Sequence, residues 1–453
     1  MIPEVVIYLG IMLAVICLWF LLFKRPIYEG VAISFVVLVL MTGTWAHVGE
    51  FFTNAVKTSL LYSMVAFVAM SQILSKTKIV DKCVMIIIAL LGRIPGGAGY
   101  ASIIASSFMG ALSGSGPGNV MATGSITIPA MKKTGFPPHL AANVESVSSY
   151  LGNMIPPSAN IVAALGAYLA FAPDDNITTG KFWVVCWGIS LWFILARVLQ
   201  LFIFCRVYKI KPMAKEDVPS LRETLKEGYT GLLLPVVILL PFVLDSLLNA
   251  SFITARLGAT GAKYFSSSLL VFVAGIATAY GLLVTENKSA RKFSAIIKTF
   301  SSGIKGLAPI VSTCVMGYMI GELFEYINAG EQLKVVFESL NIGRVGLAFI
   351  IPLLTCFVTM VIPGSSVTVM FGTVFIGLFA SAGVNPLLVA AMLPCMCGVM
   401  CGITPPFALG MYAGMSIAES DFDKTLKNDL WWVAGQYIME VIVLLGWLPI
   451  IGL

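Results

Sequence analysis

The chain has 453 residues, of which 58% are hydrophobic and only 11% are charged, and its mean hydropathy is +0.94. A soluble domain carries about a quarter charged residues, so this composition excludes a water-soluble globular protein. It predicts an all-α protein that crosses a lipid bilayer many times. The net charge of +6 arises from short basic clusters between apolar runs. Such clusters indicate positive-inside topology, and we expect no nucleic-acid partner.

Cysteine and histidine content excludes a metal centre of the usual kinds. The nine cysteines fall mostly within apolar runs, and the two histidines, His47 and His139, lie far apart. The cysteines are therefore interpreted as small hydrophobic residues. We expect no prosthetic group and no metal beyond a coupling ion. The first apolar run is long enough to stay in the membrane, so no cleavable signal peptide is expected.

The apolar runs predict crossings in chain order. After the first three, the short run 83–92 followed by "GRIPGGAG" predicts a broken or in-plane element. Basic residues in alternate loops place the N-terminus outside and the loop 206–230 inside. The expected location is a bacterial or archaeal cytoplasmic (inner) membrane. The amphipathic stretch 288–305 is predicted to lie along the interface, and "SDFDKTLKND" at 420–429 to be a cytoplasmic segment. The predicted crossings are 5–23, 31–48, 59–75, 138–172, 182–205, 231–249, 267–285, 308–324, 386–419 and 430–453.

Two further regions are too interrupted to be simple crossings. "SGSGPGN" at 113–119 separates half-length apolar pieces at 100–112 and 119–131, with basic residues at both ends. Because both ends are then cytoplasmic, this region predicts a re-entrant hairpin. "PGSS" separates 345–362 from 367–380 and predicts a second hairpin that opens to the outside. The crossing that follows each hairpin is itself broken, at "NMIPPSAN" and at "GITPPF".

A shift of 248 residues brings the two interrupted regions into register without a gap. Gly116 then meets Gly364, Gly135 meets Gly383, Pro138 meets Pro386 and Pro157 meets Pro405. Five predicted crossings lie between the hairpins, and an odd number inverts the second half across the membrane plane. Inverted repeats with hairpins and broken helices are typical of secondary transporters whose site lies near the midplane. Free backbone groups at such breaks are tolerated where they face protein or a water-filled cavity.

The motifs "GSGPGNVMATGSITIPAMKKTGFPP", "NMIPPS", "GVNPLLVAAM", "GITPPFALGMYAG" and "SIAESDFDKT" resemble the large membrane (M) subunit of tripartite ATP-independent periplasmic (TRAP) transporters, with the TAXI-type subgroup most alike. The resemblance covers about residues 60–430. It implies an elevator-type fold of the ion transporter superfamily and coupling to Na⁺. It also implies a small membrane subunit as a separate chain and an extracytoplasmic solute-binding protein that delivers the substrate.

The resemblance also implies a set of site residues at the hairpin tips and helix breaks, where hydroxyl and carbonyl oxygens would bind Na⁺. The expected Na⁺ ligands are Ser113, Gly114, Ser115, Asn119, Asn153, Pro156, Ser158, Gly364, Ser365, Ser366, Thr368, Gly402, Thr404 and Pro405. The tips contain no arginine, so we expect a small organic anion of the carboxylate class, held by hydroxyls and backbone N–H groups. The expected substrate-binding residues are Ser115, Gly116, Asn160, Ser365 and Ser366.

Three acidic residues lie inside apolar runs and are functional candidates for that reason. Glu145 precedes the first break, and it either bonds the backbone of the hairpin or carries a proton; the structural role is favoured. Asp245 and Glu440 lie in the outer segments, where snorkelling or bonding between helices is favoured.

The predicted function is a sodium-coupled permease subunit, not an enzyme. A stand-alone organic-anion transporter remains open. An intramembrane enzyme is disfavoured because Glu145 and His139 supply no catalytic set, and a channel is disfavoured because two asymmetric closed tips suit occlusion better than a continuous pore. In the expected elevator, both hairpins and both breaks move together. The predicted organisation is scaffold helices at 1–82, a connector at 83–99, a first transport repeat at 100–172, scaffold helices with an interfacial arm at 173–307, a connecting helix and arm at 308–344, a second transport repeat at 345–419 and a scaffold helix at 420–453.

Overall fold

The structure is a computed structural model that describes residues 4–453 except 58, 114–115, 174, 176, 330–331, 333–334, 336–341, 361–363 and 406–407. The described residues form helices joined by short turns. The helices of the first half are α1 (Glu4–Cys17), α2 (Ile27–Thr42), α3 (Val48–Lys57), α4 (Ser59–Ser75), α5 (Ile79–Leu91), α6 (Gly97–Ser113), α7 (Gly116–Lys133), α8 (Pro138–Leu151) and α9 (Ala159–Phe171). Those of the second half are α10 (Thr179–Val207), α11 (Leu221–Leu248), α12 (Thr254–Val284), α13 (Phe293–Tyr326), α14 (Arg344–Thr359), α15 (Gly364–Ser381), α16 (Pro386–Leu393), α17 (Leu409–Ala418) and α18 (Phe422–Leu444).

The lengths and apolarity of these helices confirm a polytopic membrane protein. Among the described residues, five stretches are long and apolar enough to cross a bilayer. Four of them follow one another between the two hairpins: Pro138–Phe171, Thr179–Val207, Leu221–Asp245 and Thr260–Val284. Helix α13 follows these four stretches before the second hairpin. That five passes cross the membrane between the hairpins stays a prediction.

The two halves repeat each other helix by helix. Helices α7 and α15 each have 18 residues, and their ends correspond under the shift of 248 residues. α8 and α16 begin at the equivalent prolines, Pro138 and Pro386. The breaks correspond as well, because short 3₁₀ turns occur at Gly152–Met154 and at Met400–Gly402. The predicted hairpins (α6–α7 and α14–α15) and broken helices (α8–α9 and α16–α17) are therefore confirmed.

One pair of glycines ends the second helix of each hairpin. Gly135 and Gly383 have φ angles of 94° and 77°, a backbone region that residues with a side chain rarely adopt. Each is followed three residues later by the proline that starts the next helix. A left-handed glycine and then a proline at the first helical position are the usual local stop and start signals. The same two signals thus set the same turn in both halves.

The second break differs from the first in its backbone. α8 remains a regular helix up to Leu151, whereas α16 ends at Leu393 and continues as a π-helical turn from Pro394 to Val399. Pro394 has no N–H group and cannot extend the regular hydrogen-bond ladder. π-Helical turns of this kind are frequent at functional sites.

Three predicted boundaries are wrong because hydropathy does not report where a polar helix begins. α13 runs without interruption from Phe293 to Tyr326, so the interfacial stretch and the next crossing form one helix across the expected 307/308 boundary. α11 begins inside the predicted loop, at Leu221. α18 begins inside the predicted cytoplasmic segment, where the Asp421 carboxylate accepts a hydrogen bond from the Lys424 amide at 3.1 Å. Such an N-cap stabilises a helix start by about 1 kcal/mol in polar sequence as well as in apolar sequence.

The connector helix α5 packs against α11 and begins before the expected boundary at residue 83. Lys82 of α5 forms an ion pair of 2.5 Å with Glu286, which follows α12. The Lys82 ammonium lowers the pKa of the exposed Glu286 carboxyl through this hydrogen bond and through its charge. α5 is thereby tied to the α11–α12 pair at one end.

Candidate functional site

The two helix breaks contact each other at the centre of the molecule. The Asn153 side-chain amide in the first break donates to the Gly398 carbonyl in the second, with an N–O distance of 2.6 Å. A Cβ atom at Gly398 would lie 2.9 Å from the Asn160 amide nitrogen and 3.2 Å from the Asn153 Cβ. The side chains of Asn153 and Asn160, both predicted site residues, therefore both contact Gly398 of the second half.

A buried tyrosine fills the space beside this contact. Tyr150, at the end of α8, lies against Gly116 at the start of α7 and against Gly402 and Gly410 in the second broken helix. A Cβ atom at any of these glycines would approach the ring to between 1.8 and 2.3 Å. The ring fits here because these three neighbouring residues are glycines and have no side chains. The sequence analysis did not identify Tyr150.

The second hairpin packs directly on the second break. A Cβ atom at Gly364 would lie 2.1 Å from the Cys397 carbonyl oxygen, so only glycine allows this approach. Ser366 and Thr368 of α15 are buried, as is Thr404 in the break. The Thr368 hydroxyl donates to the Gly364 carbonyl at 3.0 Å and the Thr404 hydroxyl to the Met400 carbonyl at 2.7 Å. Each hydroxyl proton is thus used within its own helix, and the oxygen lone pairs remain available to a cation.

The first hairpin carries a buried amide at the corresponding depth. The Asn119 side-chain nitrogen donates to the Ser106 carbonyl at 2.8 Å and to the Ser149 hydroxyl at 2.9 Å. A carbonyl oxygen can only accept, so the amide nitrogen must face Ser106, and the amide oxygen faces the other way. Ser158 caps α9 by accepting from the Asn160 backbone amide at 3.1 Å. An amide oxygen and hydroxyl oxygens are a donor set that suits a hard monovalent cation.

The predicted site residues fall into three groups. Gly114 and Ser115 lie outside the described residues, and the Ser113 side chain is also outside them although its backbone ends α6. Ser365 and Pro405 are half-buried. The remaining predicted positions are buried on α7, on α15 or at the two breaks: Gly116, Asn119, Asn153, Pro156, Ser158, Gly364, Ser366, Thr368, Gly402 and Thr404, with Asn160 half-buried beside them. Binding of Na⁺ or substrate by these residues remains a prediction.

Glu145 lies on α8, about two turns before the first break, and is fully buried. The sequence analysis expected it to bond the hairpin backbone, but it accepts from side-chain hydroxyls instead. The hydroxyls of Ser102, Ser106 and Ser149 donate to it at 2.6, 2.7 and 3.1 Å. Thr123 and Thr127 of α7 donate to it as well. We call these five hydroxyls and Glu145 the carboxylate cluster.

The spacing of polar residues in the sequence could have predicted the carboxylate cluster. Its members form three pairs spaced four residues apart, each pair on one helix: Ser102 and Ser106, Thr123 and Thr127, Glu145 and Ser149. Residues four apart lie on one helix face. Three successive helices that each present such a polar pair within apolar sequence indicate a shared polar contact.

The other two acids predicted inside apolar runs, Asp245 and Glu440, bond between or along helices, which is one of the two roles expected for them. Asp245 of α11 accepts from the Ser266 hydroxyl of α12 at 2.7 and 2.9 Å. Glu440 of α18 accepts from Gln436 at 2.9 Å and contacts the Cys395 thiol at 3.4 Å.

A cavity of about 560 Å³ opens between α9, α13 and α15. Its wall includes Phe171, Tyr318, Glu322, Glu325 and Met370. It reaches along the side of α15 rather than to the breaks. The cavity lies where the second repeat meets α13.

Residues 5–451 match the family described as the DctM component of tripartite ATP-independent periplasmic transporters. The chain is 23% identical over 404 residues to the C4-dicarboxylate TRAP transporter large permease protein DctM of Vibrio cholerae, covering 84% of each chain. It is 21% identical over 419 residues to the sialic acid TRAP transporter large permease protein SiaM of the same organism, covering 91% of this chain and 90% of that one.

Among solved structures, the YdaH transporter of Alcanivorax borkumensis is similar in fold, with a TM-score of 0.63 and 18% sequence identity. The match covers 90% of this chain and 88% of that one. A similarity at this level of identity supports the fold and not a shared substrate.

Proposed function

The chain belongs to the DctM component family of tripartite ATP-independent periplasmic transporters, and from this we propose that it is the large permease subunit of a sodium-coupled importer of a small organic anion. It is a transporter subunit and not an enzyme. The TAXI-type subgroup remains a prediction. The observation that carries the proposal is the meeting of two hairpins and two helix breaks at one buried centre, because free backbone groups there can hold a substrate and an ion.

The carboxylate class of the substrate is supported by the relatives. One is named for C4-dicarboxylates and another for sialic acid, and both compounds carry carboxylates. Ser365 and Ser366 at the second tip, with Asn160 at the first break, would bind such a group through hydroxyl and amide hydrogens. The family's tripartite description supports two partners, a small membrane subunit and a solute-binding protein. We propose that the protein lies in a bacterial or archaeal cytoplasmic membrane, with the N-terminus outside as its basic loops predict.

The uptake experiment uses proteoliposomes and a panel of organic acids, with Na⁺ replaced by choline at constant ionic strength. Uptake of at least one carboxylate should require Na⁺, the small subunit and the binding protein. Uptake by the permease alone would instead support a stand-alone transporter. Uptake that is equal in choline would contradict sodium coupling.

Sodium coupling is supported by the oxygen donors at the tips and breaks. Ser115→Ala and Ser365→Ala each remove one hydroxyl from a tip and should raise the Na⁺ concentration for half-maximal uptake, without changing membrane insertion. Loss of one ligand hydroxyl costs about 1 kcal/mol, or roughly a fivefold shift. Ser268→Ala removes an exposed hydroxyl that bonds the Tyr264 carbonyl in α12, and it serves as the matched control. Wild-type Na⁺ dependence in both tip variants would exclude the tips as coupling sites.

We also propose an elevator mechanism in which α10 and α18 move with the repeats. Both helices were expected in the scaffold, but their polar contacts favour the other assignment. Arg197 of α10 is buried and donates to the Trp432 carbonyl of α18 at 3.0 Å and to Gln436 at 2.8 Å. Asn143 of α8 donates to the Thr425 carbonyl of α18 at 2.8 Å. Hydrogen bonds buried in this way resist sliding because breaking them leaves polar groups unpaired.

The static side of the elevator would include α13. Its Glu322 accepts from Asn54 of α3 at 2.7 Å, and its Tyr326 hydroxyl lies 2.9 Å from the His47 ring nitrogen. α13 also contacts α15 closely: a Cβ at Gly317 would lie 3.4 Å from the Val369 Cβ. That separation is near the range of about 3.5–4.5 Å found in disulfides.

A disulfide between these helices tests the motion. In a background without other reactive cysteines, Gly317→Cys with Val369→Cys should stop transport when oxidised and recover it on reduction. The single variants Gly317→Cys and Val369→Cys, which cannot form this disulfide, are the controls that should retain transport under the same oxidation. Transport that persists while the Gly317→Cys, Val369→Cys pair is verified as fully oxidised would exclude the elevator.

A further inference from the structure

We propose that Glu145 is a positioning residue for the coupling ion: through Ser149 it strengthens the orientation in which the Asn119 amide oxygen, and not its nitrogen, faces the first ion site. This inference rests on the sodium coupling proposed above. It gives the carboxylate cluster a role in ion affinity, beyond holding the first hairpin to α8.

The first step is the supply of hydrogen-bond donors around Glu145. An ionised carboxylate has about four acceptor positions and no donor. Five hydroxyls from three helices surround it, and Glu145 is fully buried. Ser102 and Thr127 bond one carboxylate oxygen, and Ser106, Thr123 and Ser149 bond the other. A carboxylate can therefore accept hydrogen bonds at both of its oxygen atoms, whereas an amide has only one accepting oxygen and would present donors on its other side.

The second step connects the carboxylate to Asn119. Ser149 donates its only proton to Glu145 at 3.1 Å, so its oxygen is left to accept. It accepts from the Asn119 side-chain nitrogen at 2.9 Å, and the Ser106 carbonyl accepts from the same nitrogen at 2.8 Å. Both partners of that nitrogen are acceptors only while Ser149 points its proton at Glu145. The Ser106 carbonyl already requires the amide nitrogen on this side, and the Ser149 hydroxyl, directed by Glu145, adds a second acceptor that makes the flipped amide still less favourable.

The second half lacks this device. Under the shift of 248 residues, Glu145 corresponds to Leu393, Ser149 to Cys397 and Asn119 to Val367. Thr123 and Thr127 correspond to Phe371 and Phe375, whose rings stack with centroids 5.9 Å apart. A cluster that only held a hairpin to the next helix would be needed in both repeats. The second repeat has the same backbone arrangement, but apolar side chains make this contact. The cluster is therefore specific to the chemistry of the first tip.

The test compares two serines that bond the same carboxylate. Ser149→Ala removes the link to Asn119, whereas Ser102→Ala removes an equal hydroxyl on the other carboxylate oxygen and leaves the link intact. Two quantities are measured on each purified variant: in detergent, the thermal unfolding temperature as NaCl replaces choline chloride at constant ionic strength, and, in proteoliposomes, the Na⁺ and substrate concentrations for half-maximal uptake. Binding of Na⁺ to the folded state raises the unfolding temperature, so the first quantity reports affinity without transport.

Ser149→Ala should raise the half-saturating Na⁺ concentration about threefold to tenfold in both measurements, the effect of one lost hydrogen bond. Ser102→Ala should keep the wild-type Na⁺ dependence, even if its unfolding temperature without Na⁺ falls by a similar amount. Ser149→Thr keeps a hydroxyl and should restore most of the Na⁺ affinity. Equal Na⁺ dependence in Ser149→Ala and Ser102→Ala would overturn the positioning role. A wild-type protein with no Na⁺ response at all would instead refute the sodium coupling on which the inference rests.

Discussion

The two repeats share a backbone plan but not a chemistry. The first repeat places a buried carboxylate and hydroxyls between its hairpin and its broken helix, where the second places Leu393 and the stacked Phe371 and Phe375. The glycines and prolines that set the turns correspond in both. The comparison shows that the glycines and prolines set the turns independently of the side chains that pack between the helices. Equal folds in the two halves therefore do not imply equal ion sites.

Exchanging the central residue of one repeat for that of the other should have the largest effect. Leu393→Glu places a carboxylate at a fully buried position that has phenylalanines where the first repeat has threonines. An uncompensated buried charge costs about 3–5 kcal/mol, so we expect little folded protein, as measured by size-exclusion chromatography in detergent. Leu393→Met keeps the volume and should fold normally. A well-folded Leu393→Glu protein would mean that the second repeat can accommodate the polar contact of the first.

An intermediate effect is expected at the glycines that begin the second helix of each hairpin. In Gly364→Ala the new methyl group meets the Cys397 carbonyl oxygen, which belongs to the backbone. In Gly116→Ala it meets the Tyr150 ring, which is a side chain rather than backbone. Overpacking costs about 1–3 kcal/mol, and we expect Gly364→Ala to lower the unfolding temperature more than Gly116→Ala does.

Gly275→Ala in α12 is the control for this pair, because no heavy atom lies within 4 Å of its added Cβ. Alanine favours a helix over glycine by about 1 kcal/mol, so this variant should be as stable as the wild type or slightly more stable. The reverse order, with Gly116→Ala the less stable, would show that the first hairpin is the more tightly packed of the two.

The smallest effect is expected at the residue that corresponds to Ser149. Cys397→Ser introduces a hydroxyl that has no carboxylate to bond, but it can donate to the carbonyl four residues earlier in its own helical turn. We expect a change in the free energy of unfolding below about 1 kcal/mol and an unchanged Na⁺ dependence. Cys397→Ala controls for loss of the sulfur atom. A shift in Na⁺ dependence in Cys397→Ser alone would place an ion ligand near this position.

The sequence predicted the breaks well and the polar helix starts poorly. α4 begins and ends where its apolar run predicts, at Ser59 and Ser75, because composition changes at both ends. The hairpins and breaks were found because glycine, proline and serine act on the local backbone. The start of α18 was missed because its first two turns are polar, and the Asp421 cap that begins it does not change hydropathy.

The candidate site was predicted in outline only. Asn153, Asn160 and Thr368 lie at breaks or tips that the chain itself marks, so their positions followed from local sequence. The contacts of Asn153 with Gly398 and of Tyr150 with Gly402 join residues about 250 positions apart, and no local pattern reports them. Glu145 was recognised as unusual, but its partners depend on how α6 and α7 pack on α8.

The Tyr150 ring has a consequence for whether the two halves could be exchanged. Its counterpart under the repeat is Gly398, and the counterparts of Gly402 and Gly410 are Met154 and Val162. A chain made of two copies of the first half would bring methionine and valine against the ring, and a second ring would stand where Asn153 now meets Gly398. The large Tyr150 side chain of the first half is accommodated only because the residues that it meets in the second half are glycines. The two halves are therefore not interchangeable: the first half needs the glycines of the second half to make room for Tyr150.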